Sequence, residues 1–357
     1  MPQPADKVRT DFTEGSITVS ILKMGLPSLL GFLVQHIYAM TDMFWVSRLP
    51  AAESAVAAIT FFSNLMWVLF AFNSLVGPGS VAVISRRYGE KAYDQTEKAI
   101  KETLILKLVF GGVLGVVGLF YLPDMLTLLG AQDNALALGI GYGRIILVGL
   151  PIMYATYSIF TALRGISNPN WAMGLMIGSN VLNLVLDPLL IFGYLGLPAL
   201  GISGAAYASV ASFTITFVIG IVLFRTDLTN ITLHLVGKAP VSIDTMLKIV
   251  KIGVPAWLGE LSFSTSRMLI TPIVAGFGTI VVAAYGVAIQ LFGFGIMMLV
   301  GLGLGLSSLI GHNIGSKKLE RAKVTADRSI LLGVGLMTVV GLLSYFFAEP
   351  FMGLFFN

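Results

Sequence analysis

Long apolar blocks, separated by polar or Gly/Pro-containing breaks, dominate the sequence. Blocks such as 104–122, 202–224 and 330–347 each approach the roughly 20 residues that cross a bilayer core as an α-helix. Reading the blocks between the breaks predicts nine transmembrane helices, near 17–47, 55–85, 99–122, 136–162, 170–195, 202–225, 248–275, 281–311 and 325–347. We therefore expect an all-α, polytopic membrane protein.

Composition supports this prediction and excludes several classes of protein. Hydrophobic residues make up 56% of the chain, charged residues 11%, and the mean hydropathy is +0.89, whereas about 25% of a soluble domain is charged. The chain has no Cys, and its three His lie far apart in the sequence, which argues against a metal centre. No catalytic triad or phosphate-binding loop is present, so we expect no enzyme, no cofactor and no nucleic-acid partner.

The basic residues are distributed asymmetrically about the predicted helices. If the N-terminus is cytoplasmic, nineteen of the 22 basic residues, Lys107 and Arg164 among them, fall on the cytoplasmic side. Only Arg48 falls outside, and Arg144 and Arg267 lie within helices. The positive-inside rule predicts such a bias for this orientation alone. We expect a multi-pass protein of the cell membrane with a cytoplasmic N-terminus.

An internal repeat relates the two ends of the chain. The run Ile21–Pro27 is echoed by Ile249–Pro255, at an offset of 228 (249 − 21 = 228). A second set of matching positions, at an offset of 226, pairs Gly77, Gly79, Gly89 and Lys91 with Gly303, Gly305, Gly315 and Lys317. Because the repeating unit holds six helices, an even number, both copies enter the membrane from the same side and are parallel repeats.

The repeat predicts the domain organisation. We expect a cytoplasmic N-terminus at 1–16, a first six-helix bundle at 17–225, a linker at 226–247 and a partial second bundle of three helices at 248–357. A complete second copy would end near residue 454 (226 + 228 = 454), about 97 residues beyond Asn357. Two interpretations stay open: a fragment of a twelve-helix protein, and a natural nine-helix form.

Two acidic residues lie inside predicted helices of the first bundle. A charge in the bilayer costs about 2.5 kcal/mol or more, so such residues are functional candidates. Counting along the helices places Asp42 and Asp187 at similar depth in the outer third of the membrane. Asn183 precedes Asp187 by one turn, and Pro188 removes a backbone donor nearby. The cluster could bind H⁺ or Na⁺, or could simply hydrogen-bond the helices to one another.

A third acidic residue, Glu260, lies in the seventh predicted helix. Arg267 follows it by seven residues and so lies on roughly the same face. A structural ion pair and a second cation site are both open for this position.

Several motifs occur along residues 15–357 in the order in which a known transporter family carries them. They are Gly15–Ile17, Met24–Pro27, Thr41–Asp42, Phe44–Val46, Gly77–Gly89, Arg164–Gly165, Asn168–Pro169, Asn183–Pro188 and Gly201–Ala206. Taken together, they make the chain similar to the multidrug and toxic compound extrusion (MATE) family.

This resemblance implies a function and a set of site residues. It implies export of organic cations and amphiphilic drugs by alternating access, driven by H⁺ or Na⁺. It identifies Asp42, Asn183 and Asp187 as the coupling-cation site, with Tyr38 as a neighbour and Tyr142 as an additional candidate. The only metal it implies is Na⁺ at the first three residues.

The resemblance also gives Glu260 a counterpart and leaves alternatives open. Glu260 matches the seventh-helix acid that Na⁺-coupled members use together with an acid on a tenth helix, and no tenth crossing is predicted in this sequence. The alternatives to an antiporter are a flippase for lipid-linked oligosaccharides of the same superfamily and a membrane fragment that does not transport. The partners we expect are small drug molecules and membrane lipid, with no prediction of oligomeric state.

The charge asymmetry makes a testable prediction about topology. In this Cys-free chain, single cysteines introduced near Lys91, Lys238 and Lys318 should react with a membrane-impermeant thiol reagent only from the cytoplasmic side. A cysteine near Asn134 should react from outside, because it lies between the third and fourth predicted helices. The reverse pattern of labelling would overturn the predicted orientation.

Overall fold

The computed structural model describes residues 11–50, 52–234, 241–277 and 279–347, with the backbone alone described at 37–43, 267–269, 271, 272, 275, 279–284 and 286–291. Throughout these ranges the regular structure is helical, which confirms the predicted all-α fold. A 3₁₀ turn spans Tyr194–Gly196. The α-helices are α1 (Ile17–Val46), α2 (Ala52–Asn73), α3 (Gly77–Gly89), α4 (Tyr93–Leu128), α5 (Asp133–Gly165), α6 (Pro169–Phe192), α7 (Ile202–Arg225), α8 (Ile243–Ala275), α9 (Thr279–Gly315) and α10 (Leu319–Phe346).

Eight segments of the described chain are long and apolar enough to cross a membrane. They correspond to predicted crossings one to six, eight and nine, with α2 and α3 together forming the second. The predicted seventh crossing coincides with α8, whose side chains are only partly described, and it is not among the eight. Large apolar side chains such as Val113 and Phe120 face outward from the bundle, as expected for helices in lipid.

The second predicted crossing, 55–85, is not one continuous helix. It is divided into α2 and α3 by a turn at 74–76. Pro78 explains the break, because it has no N–H to donate to the carbonyl one turn earlier and its ring crowds that carbonyl. The chain instead tightens, and the N–H groups of Leu75 and Val76 donate to carbonyls three residues back. Pro78 then occupies the first turn of α3, where a missing N–H costs little.

Helix α3 crosses α9 with backbone in contact with backbone. A Cβ atom on Gly89 would lie 2.2 Å from the carbonyl oxygen of His312, and one on Gly315 would lie 2.1 Å from that of Arg86. At the repeat offset of 226, Arg86 corresponds to His312 and Gly89 to Gly315, so the two contacts are the same contact made in both directions. Such reciprocity is what a two-fold axis between two similar units produces.

The first helix of each copy packs on the second helix of the other copy. On α9, a Cβ at Gly305 would lie 2.4 Å from the carbonyl oxygen of Met24 in α1. On α3, the corresponding position, Gly79, would place a Cβ 1.9 Å from the carbonyl oxygen of Ile249 in α8. Because α1 also packs along α6, it contacts both copies. The division into domains at 17–225 and 248–357 remains a prediction.

The segment 11–16 is tied to α10, which belongs to the second copy. The ammonium group of Lys318 donates to the carbonyl oxygen of Thr13 at 3.0 Å. The guanidinium group of Arg321 donates to the carbonyl oxygen of Gly15 at 2.8 Å. These hydrogen bonds hold the chain across the end of the bundle where α1 begins.

Asp11 links this segment electrostatically to both copies. Burial raises the pKa of Asp11, whereas the hydrogen bonds from Thr13 lower it. The charges of Lys91, in the turn between α3 and α4, and Lys318 lower the pKa further, to a net value below the ordinary one for Asp. The carboxylate is therefore held in its charged form between the two turns.

The close crossing of α3 and α9 predicts which glycines tolerate a methyl group. Gly89→Ala should destabilise the protein by about 1–3 kcal/mol, because the added Cβ meets rigid backbone. Gly112→Ala on α4 is the matched control, since a Cβ there meets no atom within 4 Å. Unfolding titrations in detergent measure both effects, and equal stability of the two variants would contradict the crossing.

Candidate functional site

The Asn183–Asp187 pair lies on the buried face of α6, near the end of the helix. Asn183 is 1% exposed and Asp187 is fully buried. One helical turn separates them, and the amide Nδ2 of Asn183 donates to Oδ1 of Asp187 at 3.2 Å. The structure therefore places these two predicted site residues together, as their spacing predicts.

Helix α7 supplies a third polar group to this cluster. The same Nδ2 of Asn183 lies 3.5 Å from the hydroxyl oxygen of Ser209, at the limit of a hydrogen bond. The helices approach closely because α7 carries Gly204 at the contact, where a Cβ would lie 2.4 Å from the carbonyl oxygen of Leu190. A small residue at that position is thus what brings Ser209 to α6.

The cluster presents oxygen atoms to an apolar interior. Oδ1 of Asn183 is buried and has no hydrogen-bond partner among the described residues. Pro188 has no N–H, so the carbonyl of Leu184 also lacks its usual helical donor. Oxygen atoms with unused acceptor capacity next to a carboxylate are the ligands that H⁺ or a hard cation such as Na⁺ prefers.

Helix α1 runs alongside α6 in a register that two contacts define. A Cβ at Gly31 would lie 2.9 Å from the sulfur of Met176, and these two positions differ by 145 (176 − 31 = 145). The rings of Trp45 and Phe192 are 6.3 Å apart, at positions that differ by 147 (192 − 45 = 147). The two helices therefore run parallel and in step over this stretch.

This register brings backbone position 42 to the level of Asp187. Adding 145 to 42 gives 187, and adding 147 gives 189. The side chains of Asp42 and Tyr38 lie outside the described part of the structure. Their participation in the cluster remains a prediction.

The two additional candidates occupy different places. The ring of Tyr142, on α5, packs against Phe62 with centroids 5.3 Å apart, in the hydrophobic cluster that also contains Ile191 near the end of α6. Glu260 is exposed on α8. The side chain of Arg267, its proposed ion-pair partner, is not described. The roles of Tyr142 and Glu260 remain predictions.

The sequence analysis did not predict the interior positions of three polar residues. Ser209 has no signal of its own, because a lone Ser in an apolar helix is common. Lys107 and Arg164 are assigned by the charge pattern to the cytoplasmic side, yet the structure buries both within the bundle. The signal for Lys107 is its place well inside the predicted third helix, 99–122. Arg164 falls beyond the end of its predicted helix, which gives no such signal.

The comparison with known proteins assigns the chain to a family. A family model described as MatE matches residues 27–189 and 255–357. The chain belongs to the MATE family. The starts of the two matched segments differ by 228 (255 − 27 = 228), which is the offset of the internal repeat, and together the segments cover most of this MATE-family chain.

Individual relatives and a solved structure agree with this assignment. The MATE-family chain is 30% identical over 332 residues to the probable multidrug resistance protein YoeA of Bacillus subtilis, covering 92% of this chain and 72% of YoeA. It is 25% identical over 347 residues to the multidrug export protein MepA of Staphylococcus aureus, covering 96% and 75%. It superimposes with a TM-score of 0.87 and 25% identity on a multidrug resistance MATE transporter in an outward-facing conformation, covering 99% and 77%.

The contact between α6 and α7 predicts a role for Ser209 in cation binding. Ser209→Ala should weaken binding of the coupling cation about 5-fold, because loss of one hydrogen bond to Asn183 costs about 1 kcal/mol. Thr214→Val is the matched control on α7, since that hydroxyl bonds the carbonyl of Val210 in its own helix. Isothermal titration of the purified protein measures both, and equal affinities would exclude Ser209 from the site.

Proposed function

We propose that this MATE-family membrane protein is a cation-coupled antiporter that exports organic cations and amphiphilic drugs by alternating access. The observation that carries the proposal is the buried cluster of Asn183, Asp187 and Ser209 within the first copy. The names of YoeA and MepA, a probable multidrug resistance protein and a multidrug export protein, support drugs as the substrates. The proposed location is the cell membrane, with the N-terminus in the cytoplasm.

Coupling follows from the cost of an uncompensated charge in the cluster. A carboxylate at Asp187 is costly in an apolar interior until a cation neutralises it. Binding of the cation and of a cationic drug would then compete for the same negative charge, so that entry of one drives exit of the other. Asp42, at the same level on α1, is the second carboxylate in this proposal.

We favour H⁺ as the coupling ion. Protonation neutralises Asp187 without further ligands, whereas Na⁺ needs several oxygen atoms to replace its water. The described cluster offers one carboxylate, one free amide oxygen, one hydroxyl and the backbone carbonyl of Leu184. Na⁺ stays the alternative ion.

The flippase is the second candidate function. The buried cations Lys107 and Arg164 favour it, because an anionic lipid headgroup needs positive charge in the interior of the protein. The buried acid of α6 favours the antiporter. Both functions can be measured with the same reconstituted protein.

Drug efflux from proteoliposomes, with a pH gradient or a Na⁺ gradient imposed separately, tests the proposed function. The pH gradient should drive efflux, and Asp42→Asn and Asp187→Asn should each abolish it without loss of membrane expression. Asp124→Asn, an exposed acid on α4, is the matched control and should transport normally.

Three results would contradict parts of the proposal. Efflux that follows only the Na⁺ gradient would overturn H⁺ as the ion. Normal efflux by Asp42→Asn or Asp187→Asn would make that residue structural. Transfer of a labelled anionic lipid between leaflets, without drug efflux, would establish the flippase, and inactivity in both assays would favour a chain that does not transport by itself.

A further inference from the structure

Two positively charged side chains are buried in the first copy without a carboxylate partner. Lys107 on α4 is 1% exposed and Arg164 on α5 is 2% exposed, which makes them the only cations among the largest fully buried side chains of the described chain. An unpaired charge inside a membrane bundle costs several kcal/mol, so it marks a functional site by default.

Among the described residues, the side chains in contact with these two cations are neutral. The ammonium group of Lys107 donates to Oδ1 of Asn73 at 2.6 Å. The guanidinium group of Arg164 lies 3.8 Å from the sulfur of Met176 and 5.6 Å from the ring centroid of Phe32. Its Nε has no hydrogen-bond partner among the described residues. Among the described residues, neither side chain forms an ion pair with a carboxylate.

Other basic residues nearby are paired, which sets these two apart. On α4, one and a half turns before Lys107, Lys101 forms an ion pair with Glu97 at 3.2 Å. The buried acid of the same helix, Glu102, accepts a hydrogen bond from the backbone of Ser242 at 2.6 Å and lies 4.0 Å from Lys98. The contacts of these two carboxylates are thus with groups other than Lys107 and Arg164, and Oε2 of Glu102 has no hydrogen-bond partner among the described residues.

A third donor lies between the two cations. Helices α4 and α5 are antiparallel, and contacts of Gly111 with Pro151 and of Gly115 with Leu147 put Lys107 level with residue 155 of α5. Residue 155 is about 13 Å from Arg164 along the axis, a distance that two long side chains can largely close. Tyr157 lies in this interval, on the same face as Arg164.

The hydroxyl of Tyr157 is oriented by α1. Its oxygen accepts a hydrogen bond from Nε2 of Gln35, which leaves the hydroxyl proton available to donate. The described groups over this interval thus include an ammonium, a guanidinium and a hydroxyl, all three of which are hydrogen-bond donors. Such a set matches a carboxylate or a phosphate, which accept several hydrogen bonds and carry the opposite charge.

We propose that Lys107, Arg164 and Tyr157 form a binding site for the anionic group of a substrate, so that the protein transports amphiphiles bearing a carboxylate or a phosphate. This inference rests on the proposed transport function and adds a substrate class to it. The site is separate from the Asn183–Asp187 cluster. Both cations are covered in this conformation, so the anion enters when the helices around them part during the transport cycle.

A matched pair of dyes tests the site on the purified full chain. Rhodamine 110 bears a free carboxylate, and rhodamine 123 is its methyl ester, so the two differ only in the anionic group. Fluorescence anisotropy should show that the wild type binds the acid at least 10-fold more tightly than the ester. Lys107→Gln and Arg164→Gln should each abolish that preference and leave ester binding unchanged, whereas Arg164→Lys should keep part of it.

Lys101→Gln is the matched control, because it removes a cation of α4 that is already paired. It should retain the full preference for the acid. Equal binding of acid and ester by the wild type would overturn the proposal, and so would a preference that survives in both Gln variants. If a Gln variant fails to elute as a folded protein, the wild-type comparison and Arg164→Lys still decide.

Further measurements identify the natural source of the anion. They also distinguish a failure of this site from a failure of the proposed function. If the natural occupant is a lipid headgroup, phosphatidylglycerol should copurify with the wild type but not with Arg164→Gln, and adding it should abolish the preference for the acid. If it is a free substrate, the preference should persist in phosphatidylglycerol. Loss of gradient-driven efflux with the binding preference intact would contradict the proposed function and leave this site standing.

Discussion

The contact of backbone with backbone where α3 crosses α9 is the constraint on which the arrangement of this protein depends. Lipid tails are as apolar as the side chains of these helices, so helices in a membrane associate through close packing and polar contacts rather than through burial from water. Glycines at 89 and 315 let the two helices touch in both directions. The first helix of each copy can then reach across to the other copy.

The same rule explains why the polar groups of the interior are the candidates for a functional role. A group that finds no water in the bilayer must find its partner inside the protein. Asn183 has one of its partners on α7 and donates to Asp187 in its own helix, and Tyr157 has its partner on α1. Lys107 and Arg164 have only neutral partners. One copy therefore holds a negatively charged cluster and a positively charged one, at different depths of the bundle.

Sequence reasoning predicted the fold well and the site in part. The helix positions follow from the lengths of the apolar blocks, and the repeat follows from matching residues along the chain. The contact between Asn183 and Asp187 follows from their spacing of one helical turn. Pro78 marks the break between α2 and α3. It lies inside a long apolar run, so the sequence analysis predicted one continuous helix there. The proximity of Ser209 to Asn183 could not be predicted from the sequence, because it depends on how closely Gly204 lets α7 approach α6. The burial of Arg164 depends likewise on α1, whose Phe32 covers it from a distant part of the sequence.

Pro27 occupies a particular place in α1. Before it, Met24 is packed on α9. After it, Ser28 and Leu29 are packed on Gly301 of α9, and Gly31 is packed on α6. The segment preceding the helix is fastened to α10. One continuous helix, which lacks one backbone hydrogen bond at Pro27, is thus attached to both copies. Any motion of one copy relative to the other would therefore have to bend or displace α1, and Pro27 gives that helix a turn with one backbone hydrogen bond fewer.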